Sequence, residues 1–460
     1  MKVLWICNLV VPGIARKLGL GSIPKEGWVE GLFGQLTEEK KKDPDTPIPD
    51  IAFPIDQKTL KQLGGDKNKG YISGECELMG LTIGYYGFLE NTVREEVYEP
   101  ELEDRMRALL EEAQPDIVHC FGAEYSHTLA AARAFNRPDR FLIGIQGILK
   151  EYAIRYTAHI PAEVVASRTF RDTIKKDSIY ERQQKYFLRG EHEAEAVKLA
   201  GHIAGRTAFD RRFAAEVNPN AEYHHAGETL RRDFYSGAWN AKEAERHRIF
   251  VSQADYPIKG FHYLLIAVGE ILSGNGCNSD DFQDIQIYVA GQSIVGNSTL
   301  KEKIKISSYG KYLRDLINYY GLADRVHFLG RLSAGQMKEQ YLKSDTFVCC
   351  SACENSPNSL GEAMMLQVPI VTSLVGGISS VFTPDEDGFS YEADIDDSLD
   401  TVTGRLKDKL LERWESDSLI KGLQSETDRR RCNAGFHARE NHNTDKNIKD
   451  LREIYKKICK

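Results

Sequence analysis

Long apolar runs are missing from this 460-residue sequence. No segment approaches the roughly 20 consecutive apolar residues that cross a bilayer, so an integral membrane protein is not expected. The start, MKVLWICNLVVPGIA, lacks the charged flank and small-residue cleavage site of a secretory leader and is interpreted as a first buried strand. An excess of positive charge is missing too. The net charge of −8 argues against nucleic acid as a partner.

Cysteine is present without a disulfide pattern. The nine cysteines are an odd number, scattered without framework spacing, which indicates reduced thiols and a cytoplasmic protein. Cys350 and Cys353 form a C-x-x-C that is compatible with half of a redox or zinc site. No second ligand pair follows, so two small buried residues at a strand end are the other interpretation.

Apolar runs alternate with helix-like segments in both halves of the chain, which is typical of parallel α/β sheets. We therefore predict two doubly wound, Rossmann-like parallel-sheet domains facing each other across a cleft. The predicted N-terminal domain is 1–235, a polar hinge is 236–247, and the C-terminal domain is 248–440. A final helix at 441–460 has an apolar face and is expected to pack back across the domains; that face consists of Ile448, Leu451, Ile454, Tyr455 and Ile458.

The stretch from Arg168 to Arg189 carries seven basic residues against three acidic ones, interleaved with aromatic and aliphatic side chains. Such a pattern could contact an anionic membrane surface or an anionic acceptor. An ordinary solvated amphipathic helix of mixed charge has the same pattern. Both interpretations stay open at this point.

The segment SACENSPNSLGEAMMLQVPIVTSLVGG, residues 351–377, contains two carboxylates around a predicted strand-to-helix turn. Glu354 follows a strand-like run, and parallel sheets bind ligands beyond the carboxyl ends of their strands. A helix opening near Ser359 offers free backbone N–H groups to a diphosphate. Glu362 also fits a capping box with Ser359, which needs no ligand.

These residues resemble the E-x7-E signature of retaining nucleotide-sugar glycosyltransferases of family 4 (group 1), which have the two-domain GT-B architecture. The resemblance implies that Glu354 holds hydroxyls of the donor sugar and that Glu362 holds the ribose. Sugar hydroxyls suit carboxylates because carboxylates only accept hydrogen bonds. It also implies a diphosphate site formed by the helix start and one lysine, here Asn358, Ser359, Leu360 and Lys259.

The chain departs from the family pattern at several positions. Gln253 stands where the family has an arginine, which removes a bidentate cation from the phosphate site. Arg331 is either its replacement or a solvent-facing loop residue. Residues 355–357, Asn-Ser-Pro, replace Gly-Phe-Gly, and Ser380 replaces a glutamate, so the identity of the sugar stays open.

The N-terminal half resembles the family in three short segments. Gly27, in PKEGWVEGL, matches the loop after the first strand, where a glycine lets the backbone approach the donor or acceptor; a plain turn is the other interpretation. In DIVHCFGAEYSHT, His119 matches the first histidine of a D-x-V-H-x-H pattern, and Phe121 occupies the second position. His119 is thus either a structural histidine or a site residue. The candidate acceptor contacts beyond these strands are Glu124, His127, Gln146 and Gly147.

The resemblance implies transfer of a sugar from a nucleotide-diphosphate donor, UDP or GDP, to an acceptor hydroxyl with retention of configuration. Glu354 and Lys259 are the predicted catalytic residues, and no protein nucleophile, metal or cofactor is expected. The partners implied are a nucleotide sugar and a carbohydrate or lipid-linked acceptor in surface polysaccharide or glycolipid assembly, with peripheral contact at the inner membrane face through Arg168 to Arg189. The alternatives are a non-catalytic carbohydrate or lipid-carrier binding subunit and a nucleotide-sugar epimerase of similar architecture.

Overall fold

A computed structural model describes residues 1–20, 27–66, 68–296, 304–416 and 425–460. The chain forms two compact units. The first contains residues 1–150, 185–231 and 442–460, and the second contains residues 151–184 and 232–441. Each unit has its own sheet, which confirms the predicted α/β class with two Rossmann-like domains.

The sheet of the first unit has the strand order β3-β4-β2-β1-β5-β6-β7-β8. All neighbours pair in parallel except β3, which joins β4 as an antiparallel hairpin at the edge. The strands are β1 (Val3–Cys7), β2 (Asp50–Ile55), β3 (Tyr71–Leu78), β4 (Leu81–Leu89), β5 (Ile117–Phe121), β6 (Phe141–Gly144), β7 (His202–Gly205) and β8 (Glu222–His225).

The sheet of the second unit is parallel throughout its described part, with the order β11-β10-β9-β12-β13-β14. Its buried runs of Val, Ile and Phe are typical of strands covered on both faces. The strands are β9 (Glu245–Val251), β10 (Gln286–Val289), β11 (Val326–Phe328), β12 (Ser344–Cys349), β13 (Ile370–Ser373) and β14 (Phe389–Tyr391).

Helices connect most of these strands. None of those within the described ranges combines the length and the apolarity needed to cross a membrane. The helices are α1 (Pro12–Lys17), α2 (Gly27–Lys42), α3 (Gln57–Gln62), α4 (Glu101–Ala113), α5 (Ser126–Phe135), α6 (Leu149–Ile154), α7 (Ala162–Ala166), α8 (Phe170–Lys175), α9 (Ile179–Leu199), α10 (Ala208–Val217), α11 (Phe261–Leu272), α12 (Ser308–Tyr319), α13 (Ala334–Lys343), α14 (Asn358–Met365), α15 (Leu399–Glu415), α16 (Glu426–Asn441) and α17 (Thr444–Ile458).

The C-terminal helix α17 belongs to the core of the first unit. The five residues of its predicted apolar face are all buried, together with Trp5, Phe33 and Phe53. The Tyr455 hydroxyl accepts a hydrogen bond from Trp5 Nε1 at 2.7 Å. The last helix of the chain therefore completes the unit that contains the first strand.

The compact units depart from the predicted division in the segment 151–184, which the sequence placed in the N-terminal domain. This segment is held in the second unit by polar contacts that are distant in sequence. His262 Nε2 lies 2.7 Å from the carbonyl oxygen of Ala158, and Ser308 N donates to Asp172 Oδ2 at 2.8 Å. Contacts that span more than 100 residues leave no local signal in a sequence.

The predicted hinge at 236–247 is also part of the second unit, because the division falls between Arg231 and Arg232. Trp239, in the middle of this polar segment, is buried and donates through Nε1 to the carbonyl oxygen of Ser344 at 2.7 Å. The buried Trp239 fastens the segment to the unit, and the last three residues of the predicted hinge already belong to β9.

Candidate functional site

Glu354 lies just beyond the carboxyl end of β12, in the middle of the second sheet. It is buried, and its carbonyl oxygen accepts a hydrogen bond from Gly377 N at 2.9 Å. Gly376 has a φ of 58°, and a Cβ there would lie 2.0 Å from the same carbonyl oxygen. The Gly-Gly pair of the sequence motif thus lets a second loop cross directly over Glu354.

The turn that carries Lys259 binds to the same strand end through its backbone. Ala352 N donates to the carbonyl oxygen of Ile258 at 2.7 Å. Gly260 has a φ of 65°, and a Cβ there would lie 1.8 Å from the carbonyl oxygen of Cys350. Only glycine allows this approach, which brings the lysine to the glutamate from 95 residues away.

Lys259 and Glu354 form an ion pair, with Lys259 Nζ 2.5 Å from Glu354 Oε1. Ser351 Oγ donates to the same oxygen at 2.7 Å. Burial alone would lower the pKa of Lys259, but the neighbouring Glu354 carboxylate outweighs it and raises the pKa above its ordinary value. The lysine is therefore held in its charged form at the end of β12.

Helix α14 begins at Asn358, four residues after Glu354, with Pro357 as its N-cap. Pro357 makes no side-chain capping bond, and Ser359 lies inside the first turn, so the capping-box interpretation of Ser359 and Glu362 is wrong. The N–H of Leu360 donates to the carbonyl oxygen of Pro357 at 3.0 Å.

Glu362 points into the unit and is almost fully buried. The hydroxyl of Tyr341, on α13, lies 3.4 Å from Glu362 Oε2 and donates to the carbonyl oxygen of Ser359 at 2.9 Å. The sequence did not single out Tyr341 or Ser351, although Ser351 lies within the motif segment. Tyr341 carries no local signal, since only folding brings α13 beside α14.

Two residues predicted around the phosphate site lie on loops after other strands. Gln253 follows β9 and is half-buried, with Nε2 donating to the Tyr256 hydroxyl at 2.9 Å. Arg331 follows β11 and is exposed, next to a backbone bridge between Gly291 and Gly330. Gln253 is neutral, so Lys259 is the cation that the structure places beside Glu354.

In the first unit, His119 lies within β5 and is only 3% exposed. Its Nδ1 is 2.8 Å from the Tyr455 hydroxyl, its ring packs at 4.2 Å from that of Phe121, and burial lowers its pKa to about 3. Its Nε2 makes no hydrogen bond within the described part of the chain. His119 is thus a neutral histidine of the core that uses Nδ1, but not Nε2, for hydrogen bonding within the described residues.

The other predicted acceptor residues lie in three different surroundings. Asn8 Nδ2 donates to Glu124 Oε2 at 3.4 Å, and burial raises the pKa of Glu124, while the backbone of Gly147 acts in the opposite direction. Gln146 turns elsewhere, with Oε1 accepting from Arg206 Nη2 at 3.3 Å. His127 is fully buried and lies 2.8 Å from Glu90 Oε2 through Nδ1, which makes it part of the core.

A cavity beyond β5, β6 and β7 is lined by His119 and Gln146 together with residues that sequence reasoning missed. Among these, Arg206 and Glu228 form an ion pair. Arg206 directly follows β7, so the strand-end rule could have found it; Glu228 had no comparable signal.

Three further predictions concern single segments. Gly27 is the first residue of α2; residues 24–26, which precede it, lie outside the described range. Cys350 and Cys353 are buried and not bridged to each other, and burial raises the pKa of both thiols. The stretch from Arg168 to Arg189 is two helices, α8 and the start of α9, rather than one.

The comparisons with known proteins agree with this geometry. Residues 232–418 match the family model Glycosyl transferases group 1. No curated protein matches the chain.

Solved structures of similar fold cover nearly the whole chain. Sucrose-phosphate synthase (tll1590) from Thermosynechococcus elongatus has a TM-score of 0.65 at 12% identity and covers 99% of this chain and 98% of its own. A glycosyltransferase from Rickettsia africae has a TM-score of 0.59 at 14% identity, over 100% of this chain and 98% of its own. Anabaena Alr3699/HepE in complex with UDP-glucose has a TM-score of 0.60 at 13% identity, over 99% of each chain. The chain therefore has the two-domain GT-B fold, and its residues 232–418 are similar to the group 1 glycosyltransferase family.

Proposed function

We propose that this chain is a retaining glycosyltransferase that moves a sugar from a nucleotide-diphosphate donor, UDP or GDP, to an acceptor hydroxyl. The observation that carries the proposal is the ion pair of Lys259 and Glu354 at the carboxyl end of β12, four residues before the start of α14. Retention of configuration rests on the E-x7-E resemblance of residues 354–377.

In this proposal, Lys259 neutralises the diphosphate as it leaves. Its pKa is raised, so it is a permanent cation at neutral pH, and its side chain is 20% exposed. A cation already held in place stabilises the developing phosphate charge without reorganisation. The positive end of the α14 dipole, at Asn358 and Ser359, acts in the same direction.

Glu354 and Glu362 bind donor hydroxyls in this proposal. The contacts of Glu354 with Lys259 and Ser351 both use Oε1, which leaves Oε2 to accept from a sugar hydroxyl. Glu362 lies about one helical turn after the start of α14. It binds the ribose hydroxyls of the donor. Tyr341 positions Glu362 rather than contacting the donor.

Of the two donor nucleotides, UDP is supported by the likeness in fold to Anabaena Alr3699/HepE, which was solved with UDP-glucose. We propose transfer without a metal ion, since Lys259 and the helix start supply the positive charge that a metal would otherwise provide. Gln253 and Arg331 lie on the loops expected to border the nucleotide.

For the acceptor, we propose a carbohydrate or lipid-linked hydroxyl that reaches the strand ends of the first unit near Glu124 and Gln146. A peripheral membrane contact through α8 is supported by Phe170 and Ile174, each 66% exposed and one turn apart. Much of the positive charge of this stretch is used internally, because Arg171 and Arg182 both pair with Asp177. We therefore propose a weak contact, carried by these apolar side chains and the adjacent lysines.

The test is thermal stabilisation of the full chain by UDP, GDP, ADP and their sugar conjugates, comparing the wild type with Glu362→Gln and Glu362→Ala. Stabilisation by one nucleotide series that weakens in both variants is expected. Glu339→Ala is the matched control, since Glu339 is an exposed glutamate that pairs with Lys343 on the surface of α13. A folded wild-type protein that no nucleotide stabilises would contradict the proposal.

Gln253 in place of the family arginine, and Ser380 in place of its glutamate, favour one second candidate: a subunit that binds the donor or a carbohydrate without turnover. The two candidates differ in product formation. Nucleotide release and sugar transfer at a constant rate establish the enzyme. Tight donor binding without transfer to any hydroxyl or to water establishes the binding subunit.

A further inference from the structure

A cluster of two histidines and a glutamate lies at the amino-terminal ends of two neighbouring strands in the first unit. His202 is the first residue of β7, and Glu222 is the first residue of β8, the edge strand. The register pairs His202 with Glu222 and Ala204 with His224. Since side chains alternate along a strand, Glu222 and His224 share one face of the sheet with His202.

The ligand atoms of these residues converge. His202 Nδ1 lies 3.0 Å from His224 Nε2 and 3.8 Å from Glu222 Oε2, and the ligand atoms of the three residues all lie within 4.8 Å of one another. Two ligands of a tetrahedral zinc ion, each bound at about 2.0–2.1 Å, are separated by roughly 3.3 Å. The observed distances bracket this value, so a metal ion fits with small side-chain movements.

The cluster is partly shielded from solvent, since His224 is buried and His202 and Glu222 are half-buried. The His202 ring also donates a hydrogen bond to the backbone carbonyl oxygen of Asp139. A backbone partner of this kind orients a ligating histidine.

We propose that His202, His224 and Glu222 bind a divalent transition-metal ion of the zinc class, with water completing the coordination. The two imidazoles and one carboxylate match the ligand preference of Zn²⁺ rather than that of Mg²⁺ or Ca²⁺. The site lies at the amino ends of β7 and β8, whereas Gln146 and Arg206 lie beyond the carboxyl ends of β6 and β7. The metal therefore stabilises the sheet edge, and the proposal does not depend on the proposed function.

Lys457 competes with the metal ion for the carboxylate of Glu222. Its Nζ pairs with Glu222 Oε1, and its side chain is 60% exposed. Metal binding must displace or tolerate this cation. Removing the lysine charge should strengthen metal binding, whereas a simple hydrogen-bonded histidine pair would show no such dependence.

The experiment is calorimetric titration of the full-length chain with Zn²⁺, together with the absorption spectrum of its Co²⁺ form. We expect one site of nitrogen and oxygen ligands, and a melting temperature that rises with Zn²⁺. His224→Ala should weaken binding by at least about 100-fold, since it removes a ligand rather than an outer partner. Lys457→Gln should strengthen binding about fivefold, the fold-change of an exposed ion pair.

His225→Ala is the matched control, because His225 is the exposed next residue of β8 and points to the opposite face. It should bind Zn²⁺ as the wild type does. Equal binding by the His224→Ala and His225→Ala variants, both shown to be folded by circular dichroism, would overturn the proposal. So would sulfur-to-cobalt charge transfer, which would indicate thiol ligands, or the absence of any binding.

Discussion

The predicted site residues of the two units both lie on central parallel strands or directly after them, but their chemistry differs. After β12, Lys259 and Glu354 form an ion pair, and the lysine side chain is 20% exposed. In the first sheet, His119 lies within β5, two residues before the carboxyl end of that strand; it is 3% exposed, and burial lowers its pKa to about 3. The end of β12 carries a partly exposed charged pair, whereas the His119 ring within β5 is neutral and desolvated.

The difference arises from what covers each strand end. In the second unit, loops with glycines at Gly260 and Gly376 approach the strand end through their backbones, and the Lys259 side chain stays 20% exposed while Glu354 is buried. In the first unit, α17 supplies Tyr455, which hydrogen-bonds with both Trp5 and His119. A strand-end position is therefore insufficient to identify a site residue, because the covering element decides whether the residue meets solvent.

The strongest test removes the positive charge at the end of β12. Lys259→Met should lower the rate of sugar transfer by about 100-fold or more, as loss of a preorganised electrostatic group does. It should also destabilise the second unit by about 3 kcal/mol, because Glu354 becomes a buried carboxylate without its cation. The measurements are the transfer rate with the donor identified by thermal shift and the urea unfolding midpoint.

A double variant separates these two effects. Lys259→Met with Glu354→Gln should recover stability and leave transfer abolished. Lys343→Met is the control, since its pairing with Glu339 is exposed and worth at most about 1 kcal/mol. Full activity of the Lys259→Met variant would contradict the assignment of Lys259 to the phosphate site.

Gly376→Ala should displace the loop that crosses Glu354. A left-handed φ costs about 1–2 kcal/mol for a residue with a Cβ, and the overlap at 2.0 Å adds to this cost. We expect a loss of more than about 2 kcal/mol in the free energy of unfolding, with weaker nucleotide binding. Gly404→Ala, inside α15 with no atom within 4 Å of its added Cβ, should instead stabilise by about 0.8–1 kcal/mol. Equal effects of the two variants would refute this account of the Gly-Gly motif.

Tyr455→Phe tests whether His119 is structural. The change leaves the buried Trp5 N–H without its acceptor, so the free energy of unfolding should fall by about 1–3 kcal/mol while the transfer rate stays unchanged. Tyr319→Phe, at a tyrosine that is 82% exposed, is the control and should change neither. A lower transfer rate with unchanged stability would place His119 in the site.

The buried histidines of both units predict a loss of stability in mild acid. Burial lowers the pKa of His119 and of His262 to about 3, against about 6.5 in an unfolded chain. Below pH 6.5 the unfolded state binds more protons, so stability falls with pH down to about 3, by up to about 1.4 kcal/mol per pH unit for each histidine. Urea unfolding at pH 7 and pH 5 measures this slope. His119→Gln should flatten it for the first unit and His262→Gln for the second; an unchanged slope would contradict the assignment.

Much of the second unit could be predicted from local patterns. The predicted alternation of apolar runs and helix-like segments corresponds there to the strands β9 to β13 and the helices between them. In the first unit, the strands β2, β3 and β8 were not predicted. The side chains of β3 and β8 are largely half-buried or exposed, so these strands lack the continuous apolar run that identifies a buried parallel strand. Strand β2 is buried, but Pro54 interrupts its apolar run.

The sequence by itself determined the fold class and the positions of Glu354 and Glu362, because hydrophobic periodicity and motif spacing are local properties of the chain. Only the tertiary structure decided that residues 151–184 join the second unit and that Pro357 rather than Ser359 is the N-cap of α14. It also decided that Tyr455 hydrogen-bonds with His119 and that His202 and His224 meet. Each of these outcomes depends on contacts between residues far apart along the chain. Such contacts form only when the packed core has placed their elements side by side.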